Sequence, residues 1–181
     1  MWQDNEHVYG RVSRLLHWSM ALLFSWQFFG MAVKIIVGRS PLTAFLVGTH
    51  RPVGLLLLVL AALRLLWALY NAGRRPVYAA DTTGRLARAG HILLYVLMLL
   101  IPALALLRQF GSGKAFSAFG LPITQETGIE IAWMMAPADL LHGPLAWCLL
   151  ALIVGHAAMA LFHHFRLKDG TLARMLGRRL I

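Results

Sequence analysis

Two histidines in the last apolar segment of the chain, His142 and His156, are spaced so that they could bind two flat redox cofactors. His156 follows His142 by fourteen positions, close to four helical turns, so both imidazoles leave one helix face about 21 Å apart along the axis. No Asp, Glu, Lys or Arg lies between them. An ionisable side chain within such a segment is costly and usually marks a functional site. The pair therefore predicts two axial ligands, one for each of two haems stacked across a bilayer.

Two further histidines fall at matching depths if successive spans alternate in direction. His17 stands near the inner end of the first span, level with His156, and His50 stands at the outer start of the second span, level with His142. Opposed imidazoles from different helices of a bundle are the ligands of a bis-histidine haem. Hydrogen-bonding histidines at helix ends are the alternative, which the two matched levels disfavour. Zinc is a weaker alternative, because no Cys or intramembrane carboxylate completes a tetrahedral site.

The composition is that of a membrane protein. Of the 181 residues, 59% are hydrophobic, and the mean hydropathy is +0.67. Backbone groups in lipid must pair within their own segment, so the sequence predicts an all-α integral membrane four-helix bundle, with residues 1–181 as a single membrane domain. The predicted spans are 15–37, 50–70, 89–108 and 140–165, with an outer loop at 109–139.

The net charge of +10 follows the loops and needs no nucleic acid to explain it. With both termini cytoplasmic, eleven basic residues lie inside and five outside, as the positive-inside rule requires. The inner set is Arg11, Arg14, Arg74, Arg75, Arg85, Arg88, Arg166, Lys168, Arg174, Arg178 and Arg179. The outer set is Lys34, Arg39, Arg51, Arg108 and Lys114.

Cysteine usage and the N-terminal region exclude two other features. Cys148 is the only cysteine, so no intramolecular disulfide forms, and no C-x-x-C-H motif attaches a haem covalently. The first apolar run lacks a short hydrophobic region followed by a small-residue cleavage site. It is therefore predicted to be a retained helix and not a removed signal peptide.

Arg64 and Gly54 lie on the same helical face as His50. Arg64 is fourteen positions further along, which places it at the inner level, where it either snorkels to the headgroups or forms a salt bridge with a haem propionate. Gly54 lacks a side chain, which would let a flat macrocycle approach the backbone.

Three further histidines lie at the inner level and have no opposing histidine at the same depth that could share a haem with them. His91 opens the third predicted span and could bind a propionate, line a quinone pocket or anchor the helix. His163 and His164 follow His156 by about two turns, where a proton donor would suit quinone chemistry. Interfacial histidines without a role are the alternative for both.

Prolines and glycines give local expectations for the connections. His50 is expected to open the second span, with Pro52 in its first turn, where a missing N–H is tolerated. Pro102 is expected to kink the third span. Within the outer loop, the apolar piece 129–135 is too short to cross a membrane, so a short interfacial helix is predicted there.

Several motifs of this chain resemble the bacterial di-haem cytochrome b561 family, and the match runs nearly end to end. The motifs are Tyr9-Gly10-Arg11 before His17-Trp18, His50 with Gly54 and Arg64, Gly90-His91-Ile92, Phe116 to Gly120, Gly155-His156, His163-His164, Lys168-Asp169, Thr171-Leu172 and Arg174-Met175. The spacing of His142 and His156 is also similar to that in cytochrome b subunits of membrane formate dehydrogenases and hydrogenases. The loop and tail motifs are what narrow the resemblance.

The resemblance implies an inner-membrane protein with two b haems that exchanges electrons with ubiquinone. For the best-understood members it also implies superoxide oxidase activity, in which superoxide gives its electron at the periplasmic haem and ubiquinone is reduced. It also implies the same haem ligands, with His17 and His156 as one pair and His50 and His142 as the other. The five outer basic residues would then steer superoxide, and His91, His163 or His164 could supply protons near the inner haem.

Two other functions remain open from the sequence. A cytochrome b subunit that passes electrons between the quinone pool and a partner dehydrogenase would have the same spans and ligands. A haem-free structural or metal-handling membrane protein would have the spans alone. The expected partners are membrane lipid, quinone and superoxide, with either a second copy of the chain or a partner redox protein.

Overall fold

The computed structural model describes residues 1–177, so Arg178 and Arg179, counted above among the inner basic residues, lie outside the described residues. In this part of the chain, four helices are long and apolar enough to cross a membrane, which confirms the predicted membrane helices. They are α1 (Arg11–Val37), α2 (Pro41–Tyr70), α3 (Thr82–Gly111) and α4 (Ala132–Phe162). A π-helical turn (His163–Leu167) and a short helix, α5 (Thr171–Leu176), follow α4. Strands β1 (Phe116–Ala118) and β2 (Leu121–Thr124) form an antiparallel hairpin between α3 and α4.

The helices begin earlier than the predicted spans, so three histidines lie further inside their helices than predicted. For α2 and α3, polar capping residues that precede the apolar runs explain the earlier start. Ser40 forms a capping box with Thr43 at the start of α2, and the Asp81 carboxylate accepts from the backbone of Gly84 at the start of α3. The histidines concerned lie more than two turns inside their helices and do not open them. They are His50, His91 and His142.

Pro52 lies inside α2 and not in its first turn, so that prediction is wrong. An internal proline removes one helical hydrogen bond and clashes with the carbonyl four residues before it. Gln27 of α1 forms a hydrogen bond with the backbone of α2 two residues before Pro52, because its side-chain amide donates to the carbonyl of His50 at 2.9 Å. Gln27 is itself buried in the middle of an apolar helix.

The outer connection contains a hairpin where an interfacial helix was predicted. That prediction is wrong, because 132–135 forms the first turn of α4 and the residues before it are not helical. The connection narrows from 109–139 to 112–131. The hairpin turns at Phe119 and Gly120, both with positive φ (50° and 81°), which suits the twist of a two-residue hairpin loop.

The two ends of the bundle differ in chemistry. The hairpin end contains β1, β2 and the start of α4. The basic end contains the N-terminus, the α2–α3 connection and α5, and it is organised around Asp4. The Asp4 side chain is fully buried and accepts hydrogen bonds from the backbone of Gly10 (2.8 Å), the Ser13 hydroxyl (2.8 Å) and Arg75 Nε (2.9 Å). It therefore joins the N-terminal segment to α1 and to the α2–α3 connection.

Replacing Asp4 by Ala is expected to destabilise the protein by about 3 kcal/mol, because it leaves Arg75 and two other donors without their shared acceptor. Unfolding in detergent, followed by circular dichroism, measures the change. Asp139→Ala is the matched control. It breaks an ion pair with Arg108 in which both side chains are about half exposed, so a loss below about 1 kcal/mol is expected. Equal losses in the two variants would contradict the role assigned to Asp4.

The apolar core occupies the middle of the bundle. One cluster joins α3 to α4 and is built around Leu97 and Leu149, and the other joins α1 to α2 and is built around Leu57. Phe24 and Met98 pack against both clusters. Helix α4 packs mainly against α3, and α1 and α2 pack against each other. The imidazole pairs lie between α4 and the other two helices, one pair between α4 and α1 and one between α4 and α2.

Candidate functional site

The first pair of imidazoles lies toward the hairpin end. His50 of α2 and His142 of α4 face each other with ring centres 6.1 Å apart and planes inclined by 69°. Both rings are half-buried. The Nδ1 atom of each is buried and has no hydrogen-bond partner among the described residues. A buried polar atom without a partner is costly, so this pair is incomplete as protein alone.

The second pair lies toward the basic end. His17 of α1 and His156 of α4 face each other with ring centres 6.2 Å apart and planes inclined by 76°. Phe24 and Phe28 stack between the two levels, with ring centres 6.4 Å apart. The two pairs therefore have nearly the same separation and share α4 as the helix that supplies one ring to each.

The spacing within each pair fits one metal atom held between two rings. A metal–imidazole bond is about 2 Å long, so two rings on opposite sides of one metal have centres about 6 Å apart. Among residues 1–177, no group of three or more His, Cys, Asp or Glu side chains is arranged to hold a metal ion. Two imidazoles without further protein donors suit an axially ligated haem iron and do not suit a tetrahedral zinc site.

His91 of α3 is the third imidazole at the basic-end level. Its ring lies edge-on to His156 with centres 5.2 Å apart, closer than either facing pair. Its Nδ1 is hydrogen-bonded to the Tyr78 hydroxyl at 3.1 Å. Desolvation by burial raises the pKa of the Tyr78 phenol above its ordinary value. Tyr78 lies in the α2–α3 connection, so it links His91 to the surface of the basic end.

Arg64 is held inside the bundle at the same level. Its guanidinium donates to the Tyr95 hydroxyl at 3.2 Å and to the Ser13 carbonyl at 3.4 Å. It lies within electrostatic range of all three imidazoles at this level. Its positive charge is therefore placed where an anionic group of a bound cofactor could meet it.

Gly54 faces α1 near the hairpin-end pair. A Cβ there would meet the Gln27 amide at 3.5 Å, an ordinary contact. Protein packing alone therefore does not require glycine at this position.

His163 and His164 have different surroundings. His163 begins the π-helical turn and pairs with the Asp169 carboxylate. His164 is exposed. The structure brings neither ring into contact with the facing imidazole pairs.

The outer basic residues also differ from one another. Arg108 is paired with Asp139, so its charge is largely compensated. Arg51, next to His50, is hydrogen-bonded to the neutral amide of Gln109 at 3.4 Å, which does not offset its positive charge. Lys34, Arg39 and Lys114 are exposed.

Three residues at these levels were not singled out in the sequence. Gln27 could have been found, because an amide within an apolar span is unusual. Tyr78 and Tyr95 carry no comparable signal, because tyrosines at the ends of spans are common. Their contacts to His91 and Arg64 depend on how α2 and α3 pack.

Comparison with known proteins gives matches over almost the whole chain. The family model described as prokaryotic cytochrome b561 matches residues 8–178. Cytochrome b561 homolog 2 of Escherichia coli (strain K12) is 33% identical over 172 residues, which cover 94% of this chain and 92% of that protein. Cytochrome b562 of Cereibacter sphaeroides is 30% identical, covering 96% and 98%. The probable superoxide oxidase CybB of Yersinia pestis is 27% identical, covering 91% and 93%.

Proposed function

Because the chain belongs to the prokaryotic cytochrome b561 family, we propose that it is a di-haem electron-transfer protein that oxidises superoxide and reduces ubiquinone. Members of this family are membrane electron-transfer proteins that bind b-type haem. With its four apolar helices, the chain is a multi-pass protein of the bacterial inner membrane. The name of the Yersinia pestis relative supports superoxide as the substrate.

The two facing imidazole pairs are the observation that carries this proposal. His17 and His156 would hold one haem, and His50 and His142 the other. Bound haem supplies reversible one-electron chemistry at its iron. If each imidazole pair held a haem as assigned, the site would favour outer-sphere electron transfer over oxygen binding. Arg64 would pair with a propionate at the basic-end level.

The charge distribution supports an orientation with both termini cytoplasmic. The basic end would then face the cytoplasm, as the positive-inside rule requires, and the hairpin end would face the periplasm. The levels of His142 and His156 lie about 21 Å apart along α4, so the two sites together would cover most of the hydrocarbon thickness. Apolar side chains of the core fill the bundle between these levels.

The electron balance requires two superoxide ions for each ubiquinone. Each superoxide loses one electron and leaves as dioxygen, and ubiquinone takes up the two electrons with two protons to become ubiquinol. His91, His163 and His164 are the proposed proton donors near the basic end. Of these, His91 is joined to the basic-end surface through Tyr78, which gives it a route to solvent protons.

Haem stoichiometry followed by superoxide-driven reduction tests the proposed function. Purified protein is expected to bind two b haems per chain and to reduce ubiquinone when superoxide is generated. Reduction of the haems by quinol but not by superoxide would instead support a cytochrome b subunit of a larger dehydrogenase. The absence of a reducible b-type spectrum would support a haem-free membrane protein and overturn the proposal.

Arg51 is expected to attract superoxide to the hairpin-end pair. Arg51→Gln should lower the second-order rate with superoxide roughly threefold at low salt and make it less dependent on ionic strength, because a full positive charge beside His50 is lost. Stopped-flow measurement at several salt concentrations gives the rate.

The matched control for this prediction is Arg108→Gln combined with Asp139→Asn. This variant removes an opposed pair and leaves the net charge unchanged, so the rate should stay close to that of the wild type. Equal rates in Arg51→Gln and the wild type would contradict steering by Arg51.

A further inference from the structure

The short helix α5 has too few residues to be stable by itself, yet it lies against the first turns of α1. We propose that α5 acts as a clip that fixes the indole of Trp18 against the imidazole of His17 and so sets the environment of the basic-end haem. Trp18 is thereby a positioning residue. The proposal rests on the assignment of His17 as a ligand in the proposed function.

Side chains of α1 satisfy the carboxyl end of α5. The last carbonyls of a helix have no partner within the helix. Here the Trp18 indole N–H donates to the carbonyl of Met175 at 3.2 Å, and Arg14 donates to the carbonyl of Leu176 at 3.0 Å. The cation of Arg14 also suits the negative end of the helix dipole. Docking on α1 therefore completes hydrogen bonds that α5 cannot make alone.

Gly177 allows this close approach. It ends α5 with a positive φ of 78°, a conformation that favours glycine. The Arg14 guanidinium occupies the place that a Cβ of residue 177 would need. A side chain at this position would push Arg14 away from α5.

Asp169 holds the other end of α5. Its carboxylate pairs with His163, at the end of α4, and accepts from the backbone N–H of Thr171 at 3.0 Å. Desolvation raises the pKa of Asp169, but the hydrogen bonds from His163 and Thr171 outweigh it and lower the value to about 2. The charged carboxylate thus fastens the chain reversal between α4 and α5. This gives His163 a second role, as part of the clip.

The clip reaches the imidazole pair through Trp18. The indole and the His17 ring meet edge to face, with centres 5.1 Å apart and planes inclined by 68°. The hydrogen bond to Met175 fixes the orientation of the indole. Loss of that bond would free the indole to rotate and change the packing and polarity around His17, which tune the potential of a ligated haem.

Trp18→Phe tests the clip, because it keeps an aromatic ring and removes the N–H that binds α5. Redox titration and electron paramagnetic resonance of the two-haem protein should show a shift in the potential and low-spin signal of one haem, with the other unchanged. Asp169→Asn should shift the same haem and speed hydrogen exchange in residues 171–176 at least tenfold. The double variant should shift it no further than the larger single effect, because both changes act through the same docking.

Trp133→Phe is the matched control, because Trp133 is 70% exposed at the start of α4, and its signals should match those of the wild type. Two-haem spectra that are unchanged in Trp18→Phe, or shifted equally at both haems, would overturn the clip alone. Unaltered exchange in Asp169→Asn would also overturn it. A wild-type protein with fewer than two haems, or a His17→Ala variant with two, would instead overturn the ligand assignment of the proposed function.

Discussion

His142→Ala is expected to bind one haem per chain where the wild type binds two. The variant removes one ring of the hairpin-end pair, whose centres lie 6.1 Å apart, and leaves the basic-end pair about 21 Å further along α4. With one ring of the pair gone, the hairpin-end haem is expected to be lost, because its site was built from two imidazoles. Oxidation of superoxide should be lost, while ubiquinol should still reduce the remaining haem.

Two further substitutions provide the controls, one at the other histidine of the same pair and one at an exposed histidine outside both pairs. His50→Ala should give the same spectrum as His142→Ala, because either change leaves one ring of the same pair. His7→Ala should keep two haems, because its side chain is 73% exposed near the N-terminus. Pyridine haemochrome analysis gives the stoichiometry, and circular dichroism verifies the fold. Loss of both haems in a folded His142→Ala protein would contradict the assignment of separate pairs.

The membrane helices could be predicted because hydropathy reports directly on them. Long apolar runs separated by charged loops have few alternatives in a bilayer, and the four runs found in the sequence correspond to α1 to α4. The common level of His50 and His142 follows from depth, because the direction of successive helices fixes the level of each ring, whereas the facing of the two rings depends on how α2 and α4 pack. Arg51 and Arg108 could not be distinguished in this way, since the partner of each lies in another element.

Helix starts and side-chain networks were less predictable for a physical reason. Hydropathy marks where a helix enters lipid, whereas the helix itself begins at a polar cap such as Ser40 or Asp81, several residues earlier. The hairpin was missed because its turn contains Phe119 with a positive φ, which is uncommon for a non-glycine residue. The clip of α5 depends on contacts between residues more than 150 positions apart, which no local pattern encodes.

The basic-end level contains three imidazoles, those of His17, His91 and His156. Substitutions at His17 and His91 distinguish which of these two rings is the second iron ligand beside His156. His17→Ala is expected to remove the basic-end haem, whereas His91→Ala should retain both haems. The His17 ring is 6.2 Å from His156, which leaves room for one metal atom between them. The His91 ring is only 5.2 Å away, too close for a metal between the two rings.

Tyr78 provides a second variant for this comparison, because its hydroxyl is hydrogen-bonded to His91 Nδ1. Tyr78→Phe should retain both haems as His91→Ala does, and neither variant should lose the low-spin signal of the basic-end site. Electron paramagnetic resonance of the three variants makes the comparison. If His91→Ala lost a haem while His17→Ala kept two, the ligand to the basic-end iron would come from α3, and α1 would serve only to close the bundle.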